Sequence, residues 1–322
     1  PTLRAAVEPG LSRQQTRIAA CLARLQPRPQ LLDALAAALD DPVGGLVLLE
    51  GPPGSGVTSL LCALAARGPR PLWLAGDAPG EIASLYAQIV ALRRPAVPLL
   101  DPTATTDPAA LEGLLAEVSG PGRPPLTLLI DDLDPPGQRL RPGPTPLPAE
   151  LPPGVTLLLG AAPGAYLPYP VRARITLRDD GPELPQAQRR ALEAMGCEPA
   201  WVEPICAASG GSFLYLGLAR AMLAAGALLP TALPDGLDGL LHTWWRGLDT
   251  AGRRLAGLLA AAGEPLPLRL VEELHGANPR WALARWARLG VVEVGATPQP
   301  EDAEGRGPVA LVAFAHRAYA GA

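Results

Sequence analysis

The chain has 322 residues, 48% of them hydrophobic, and a formal net charge of −4 in which every basic residue is arginine. That length predicts two or three domains with real cores, and the slightly acidic balance supplies no overall basic field for nucleic acid. Charges such as Arg220 within Leu214 to Leu229 interrupt the apolar stretches before the roughly 18 residues a membrane span needs.

No secretory signal opens the chain, and Cys21, Cys62, Cys197 and Cys206 have neither metal nor disulfide spacing. The expectation is a soluble, cytoplasmic protein with free thiols and no membrane partner. Arginine-only basicity with abundant Ala, Leu, Gly and Pro carries the imprint of a GC-rich, bacterial genome. Because Pro1 stands first, the segment is expected to come from a longer polypeptide with further domains.

In chain order, Ile18, Cys21, Leu22 and Leu25, then Leu31, Leu32, Leu35 and Leu39, recur at helical spacing and predict a helical lead-in over 1–40. Leu46 to Leu49 is a continuous apolar run, as in a strand buried on both faces of a parallel sheet. It leads into Gly51-Pro52-Pro53-Gly54-Ser55-Gly56-Val57-Thr58-Ser59, and Ser59 to Arg67 then reads as a helix. Strand, glycine-rich loop and helix in this order match the phosphate-loop pattern G-x-x-x-x-G-K-[ST], in which backbone amides cradle phosphates. Valine at 57 replaces the lysine, and no lysine exists elsewhere in the chain. Codon bias explains lysine drifting to arginine; it does not explain valine, which reads as relaxed chemistry. The candidate nucleotide-binding residues are Gly51, Pro52, Gly54, Ser55, Gly56, Val57, Thr58 and Ser59, with the Thr58 hydroxyl placed to meet Mg²⁺.

Further strands are predicted at Pro71 to Ala75, Leu126 to Ile130, Val155 to Leu159 and Arg174 to Leu177, with helices at Glu81 to Leu92 and Pro108 to Ser119 between the first two. This alternation predicts a doubly wound α/β domain over 41–180. Pro135 to Pro153, dense in proline and glycine, reads as an exposed extended loop, either filler or a docking strip. Helices follow at Gln186 to Met195, Pro199 to Ser209, Leu214 to Gly226, Leu237 to Leu248, Gly252 to Ala262, Leu268 to Leu274 and Arg280 to Leu289. Val291 to Val294 and Val309 to Phe314, joined by the polar stretch Thr297 to Gly307, make a two-stranded wing. The expected division is a helical subdomain over 181–232 and a winged helix over 233–322.

Leu126 to Ile130 runs into Asp131, Asp132 and Asp134, the layout in which a carboxylate at a strand tip reaches Mg²⁺. Here the chain resembles the STAND class of signalling P-loop ATPases, relatives of the NACHT and NB-ARC modules within the AAA+ group. Leu157 to Gly164 is similar to that family's strand ending in Thr-Ser-Arg-Pro-Gly, with Ala162 at the place of the phosphate-sensing arginine. Ser209 to Leu216 resembles its Gly-Asn-Phe-Leu-Tyr segment. Leu233 to Leu240 with Trp244-Trp245 resembles the entry to its winged helix, and Phe314-Ala315-His316-Arg317 resembles the signature whose histidine approaches a bound diphosphate.

The resemblance implies a P-loop sheet with helices on both faces, a helical subdomain and a winged helix. It adds His316 to the nucleotide-binding set, Thr58 and Asp131 as Mg²⁺ ligands, and ATP or ADP as possible ligands. It also implies protein partners in bacterial signalling or defence, with possible homo- or hetero-oligomers. Val57, Ala162 and Pro135, which replaces a family acid, remove three groups from one reaction coordinate. The catalytic set is therefore expected to be empty, with Asp131, Asp132 and Asp134 as remnant acids. Arg93, Arg94, Arg172 or Arg174 could compensate in the manner of an arginine finger. The expected function is a non-catalytic scaffold or adaptor. The alternatives are a nucleotide switch with weak or partner-dependent ATPase activity, and a DNA-binding regulator acting through Arg280, Arg285 and Arg288 of the winged helix. For those arginines the plainer reading is a solvated face over an aromatic core containing Trp281 and Trp286.

Overall fold

The apolar run at residues 46–49 becomes the inner part of β1 (Gly45–Glu50), with each of the four side chains at most 1% exposed. The computed structural model describes residues 15, 18–19, 21–23, 25–26, 28–40, 43–68, 72–74, 89, 108–119, 125–131, 150–163, 170–177, 183–262, 265–275, 278–297 and 309–314. They belong to two compact units, Pro1–Leu184 and Pro185–Ala322.

In the first unit β1 is joined by β2 (Leu72–Leu74), β3 (Leu126–Asp131), β4 (Val155–Ala161) and β5 (Val171–Thr176) in one sheet of order β2-β3-β4-β1-β5. All pairings are parallel. The two faces of the sheet explain why β1, β3 and β4 are apolar without alternation. On one face Leu46, Leu48, Leu128, Ile130, Leu157 and Leu159 pack with Leu115 and Val118 of a helix, α3 (Pro108–Val118). On the other, Val47, Leu49, Leu129 and Leu158 meet Leu35 and Leu39 of α1 (Pro29–Leu39) and Leu60, Leu61 and Leu64 of α2 (Val57–Ala66). This is the expected parallel sheet with helices on both faces.

Several boundaries differ from expectation, and two of them have a local cause. Helix α2 starts at Val57 and not Ser59, because Gly56 at φ 96° takes the left-handed conformation that ends the loop. Strand β5 covers Val171–Thr176 and not Arg174 to Leu177. It is the sheet edge, where Arg172 and Arg174 alternate with Val171, Ala173 and Ile175, and charge on an edge strand hides its period.

The second unit contains α4 (Leu184–Ala194), α5 (Pro199–Ala208), α6 (Phe213–Ala224), a 3₁₀ turn (Pro230–Ala232), α7 (Gly236–Arg246), α8 (Thr250–Ala262), β6 (Leu266–Pro267), α9 (Leu268–His275), α10 (Arg280–Arg288), β7 (Val292–Thr297) and β8 (Val309–Phe314). The wing strands β7 and β8 pair antiparallel with Val294 opposite Val312. The short β6, absent from the sequence reading, adds a third strand against β8. A single apolar core runs from Ile205 and Tyr215 through Leu240 and Trp244 to Leu283, Trp286 and Val312. Trp244 and Trp286 meet edge to face at 5.4 Å and 72°.

Between α5 and α6, Gly210 and Gly211 both have positive φ, which lets the chain turn sharply enough for Ser212 to cap α6. The buried Tyr215 hydroxyl donates to the Pro234 carbonyl at 2.7 Å, tying α6 to the segment before α7. Among the described residues no helix is long and apolar enough to cross a membrane. The segment Glu81 to Leu92 apart from Ile89, and the Pro135 to Pro153 loop apart from 150–153, lie outside the described residues.

Candidate nucleotide site at the phosphate loop

Strand β1 leaves the sheet between β4 and β5, so the loop opens at the carboxyl edge, where open α/β sheets bind ligands. Gly51 stays in the ladder's line, its N–H donating to the Ala161 carbonyl at 3.1 Å. The Ser55 N–H then donates to the Pro52 carbonyl at 3.0 Å, and Gly54 and Gly56 have φ of 82° and 96°. Both glycines hold backbone that side-chain-bearing residues rarely adopt. No side chain caps α2. Its first amides therefore face outward from the helix start, as an anion nest requires.

Asp131 ends β3 and lies opposite Gly160 of β4, which in turn lies opposite Leu49 of β1. A bare glycine between the two strands leaves space across the sheet tip, and Asp131 and Thr58 meet through it. The Thr58 hydroxyl donates to Asp131 Oδ2 at 2.8 Å. Asp131 is buried. The two residues expected to face Mg²⁺ are therefore brought together, although they are 73 positions apart.

Val57 occupies the rest of that space. A Cβ on Gly160 would stand 2.6 Å from Val57 Cγ1, and one on Gly51 would stand 3.1 Å from Val57 Cγ2. The valine branch thus fills the trough between the ends of β1 and β4, directly under the loop. At the same strand tips, Glu50 and Arg174 form an ion pair at 2.9 Å. Ala162, at the position matched to the sensor arginine, follows the last residue of β4 and contributes only a methyl group.

Ser55 is buried, and its hydroxyl finds no hydrogen-bond partner among the described residues. Its Oγ is turned back against Gly51, 2.3 Å from where a Cβ there would stand. An orphaned buried hydroxyl is uncommon and marks a place where a ligand or water completes the structure. This hydroxyl, the Thr58–Asp131 pair and the uncapped helix start form an all-oxygen and amide donor set that fits a phosphate and a hard cation.

One site residue escaped the sequence reading. Arg28, the residue before α1, is 7% exposed and its Nη2 donates to the Ser55 carbonyl. The same nitrogen lies 2.7 Å from where a Cβ on Gly56 would stand. Burial pulls the guanidinium below its ordinary pKa, and the nearby Glu183 acts in the opposite sense. The only local signal was Pro29 after it, because a residue preceding proline is kept out of the helix. Nothing in the spacing connects it to a loop more than 20 positions downstream.

Of the expected compensating arginines, Arg172 Nη2 donates to the Ala38 carbonyl at 2.6 Å, and Arg174 pairs with Glu50, the residue before the loop. Arg93, Arg94, Asp132, Asp134, Pro135 and His316 lie outside the described residues. In the second unit Trp286 is buried, whereas Trp281 is 71% exposed with Arg285 over its ring at 5.9 Å. The expected aromatic core under the α10 arginines thus includes only one of the two tryptophans. Arg280 is bound to Glu272 of α9.

No protein-family model matches the sequence, and no curated protein does. Among solved structures the chain is similar to a signal transduction ATPase with numerous domains (STAND) from Pyrococcus horikoshii that has a tetratricopeptide repeat sensor. The TM-score is 0.50 at 14% identity, covering 92% of this chain and 42% of that one. It is also similar to a Walker-type ATPase of Pyrococcus abyssi, with a TM-score of 0.43 at 14% identity over 92% of this chain and 95% of that one. A third is the RuvB Holliday junction branch migration motor of Thermotoga maritima, with 0.34 at 18% identity over 88% and 92%. The chain spans less than half of the Pyrococcus horikoshii protein's length. At such identities the likeness is one of fold alone, and the STAND protein, at a TM-score of 0.50, is the match that carries it.

Proposed function

We propose that this chain is a non-catalytic module of the STAND type, which holds a nucleotide at its P-loop as a structural ligand and serves as a scaffold or adaptor for proteins of a bacterial signalling or defence system. The observation that supports this reading best is the pairing of an intact Thr58–Asp131 contact with Val57 filling the trough beneath the loop.

The two halves of that observation act on different steps. Loop amides, the Ser55 and Thr58 hydroxyls and the Asp131 carboxylate are binding groups. Thr58 and Asp131 would hold Mg²⁺, which would supply charge neutralisation to a bound phosphate. The lysine of the pattern adds a charge-assisted bond worth about 1.5–3 kcal/mol, so its loss weakens binding by about ten- to hundredfold. Its greater contribution is to charge that develops as the phosphoryl group moves. An apolar branch at 57 and a methyl at 162 leave that charge without either expected cation. Binding is therefore retained in weakened form while turnover is lost, and the module works through its surfaces. The protein-partner and defence assignments rest on the family resemblance.

Two assays test this. Purified protein, denatured and centrifuged, should release ATP or ADP into the supernatant, and phosphate release with Mg·ATP should not exceed that of buffer. A clean supernatant from folded protein counts against nucleotide as a structural ligand. Magnesium-dependent turnover abolished by Asp131→Ala would make the protein an active switch instead.

A further inference from the structure

We infer that the outer face of α10 is a docking site for an acidic segment of a partner protein, one in which carboxylates flank an apolar side chain. The inference rests on the scaffold reading above and deepens it by naming a surface and its partner's chemistry. It does not depend on nucleotide.

Helix α10 contains Arg280, Arg285 and Arg288 and no acidic residue. Leu283 and Trp286 enter the core of the second unit, while Arg280, Trp281, Ala284, Arg285 and Arg288 are exposed. Helical spacing puts the exposed residues on one surface, with Arg280, Ala284 and Arg288 in a row four apart and Trp281 and Arg285 in the row beside it. The core takes Trp286 and leaves Trp281 71% exposed, with the Arg285 guanidinium over its ring at 5.9 Å. That contact holds two long side chains in place before any partner arrives, which lowers the ordering cost of binding. Ala284 has only a methyl group, so a shallow floor lies beside the tryptophan on which an apolar side chain can rest. Tryptophan and arginine are also the residues that most often carry the energy of a protein interface.

Charge chooses the occupant. Arg285 and Arg288 present planar forks suited to carboxylates, whereas Arg280 is already engaged by Glu272 of α9. A duplex held through its backbone draws on about six to ten phosphate contacts, more than this face supplies. The elements that flank α10 in the chain also expose Glu273 on α9 and Glu293 on β7. These carboxylates repel a long polyanion, and the net charge of −4 acts in the same direction. A short acidic segment meets the arginines without running past the acids.

The test is a phage-displayed library of random short peptides panned on the intact chain, followed by fluorescence anisotropy on the peptides recovered. Enriched peptides should carry Asp or Glu on both sides of an aliphatic or aromatic residue. Trp281→Ala should weaken them about tenfold or more, and the double variant Arg285→Glu, Arg288→Glu should do the same. Lysine in place of the peptides' acids should restore binding to that double variant and not to the wild type. These substitutions alter exposed side chains, so circular dichroism and melting should match wild type. If the double variant does not fold, Trp281→Ala alone decides.

Peptides bound equally by wild type and folded Trp281→Ala overturn the assignment of α10 and leave a scaffold that works through another surface. A fluorescent DNA duplex that binds the wild type more tightly than any recovered peptide, and is lost on the charge-reversed variant, makes α10 a nucleic-acid reader instead. A library that yields no enriched peptide overturns the docking site, and the nucleotide assays above still decide the rest of the proposed function.

Discussion

At the scale of single residues, Val57 and Gly160 form a fitted pair. A methyl group added at 160 would stand 2.6 Å from Val57 Cγ1 and 2.9 Å from Leu61 Cδ1, both distances too short for carbon atoms. Gly160→Ala should therefore lower unfolding free energy by about 1–3 kcal/mol, read from the urea midpoint. Val57→Ala in the same chain should recover most of that loss. Equal losses in both backgrounds would mean that Val57 does not fill the trough. Tyr215 gives a second residue-scale expectation. Burial, helped by Asp235, pushes its phenol up to about 12. The folded state thus holds that proton more tightly than the unfolded chain, whose tyrosine titrates near 10. The contribution is complete below about pH 10 and is lost as pH rises from about 10 to about 12. Denaturation between about pH 9 and 12 should show this loss, and Tyr215→Phe should reduce the slope. An identical slope in the variant would exclude Tyr215 as its source.

At the scale of elements, β1 and β4 were legible because strands covered on both faces are written as largely apolar runs, Leu46 to Leu49 in β1 and Leu157 to Leu159 in β4, and a glycine-rich loop follows the first. The helices of the second unit were found within two residues of their ends, because their apolar residues recur at helical spacing and caps such as Ser212 before α6 mark where they start. What stayed hidden was set by contacts distant in sequence. Strand β6 is two residues long and exists only because β8 is beside it. Arg28 became a loop residue only through the way α1 packs on the sheet. That packing is itself braced from afar by Glu183, whose carboxylate caps α1. Glu183→Ala should remove about 0.5–2 kcal/mol of stability, as the loss of a helix cap does, measured by chemical denaturation. No change would mean that the cap is redundant. In the second unit, Tyr215→Phe leaves the Pro234 carbonyl without the phenol donor, and should lower stability by about 1–3 kcal/mol. A change within error would show that water replaces the phenol.

At the scale of the molecule, the two units have separate apolar cores, one on each face of the sheet in the first and a single continuous core in the second. The helical and winged-helix parts of the second unit share that core, with Ile205 and Tyr215 in the same cluster as Trp286 and Val312. Residues 185–322 expressed alone should accordingly fold with helical dichroism and one cooperative melting transition. A non-cooperative melt would contradict an independent core.

The account depends most on separating binding from turnover at one loop. The direct measurement is calorimetry with Mg·ATP on the intact chain beside a phosphate-release assay on the same sample. The predicted result is saturable binding, weakened by Asp131→Ala, with phosphate release no faster than in buffer. Magnesium-dependent release that Asp131→Ala abolishes would contradict it.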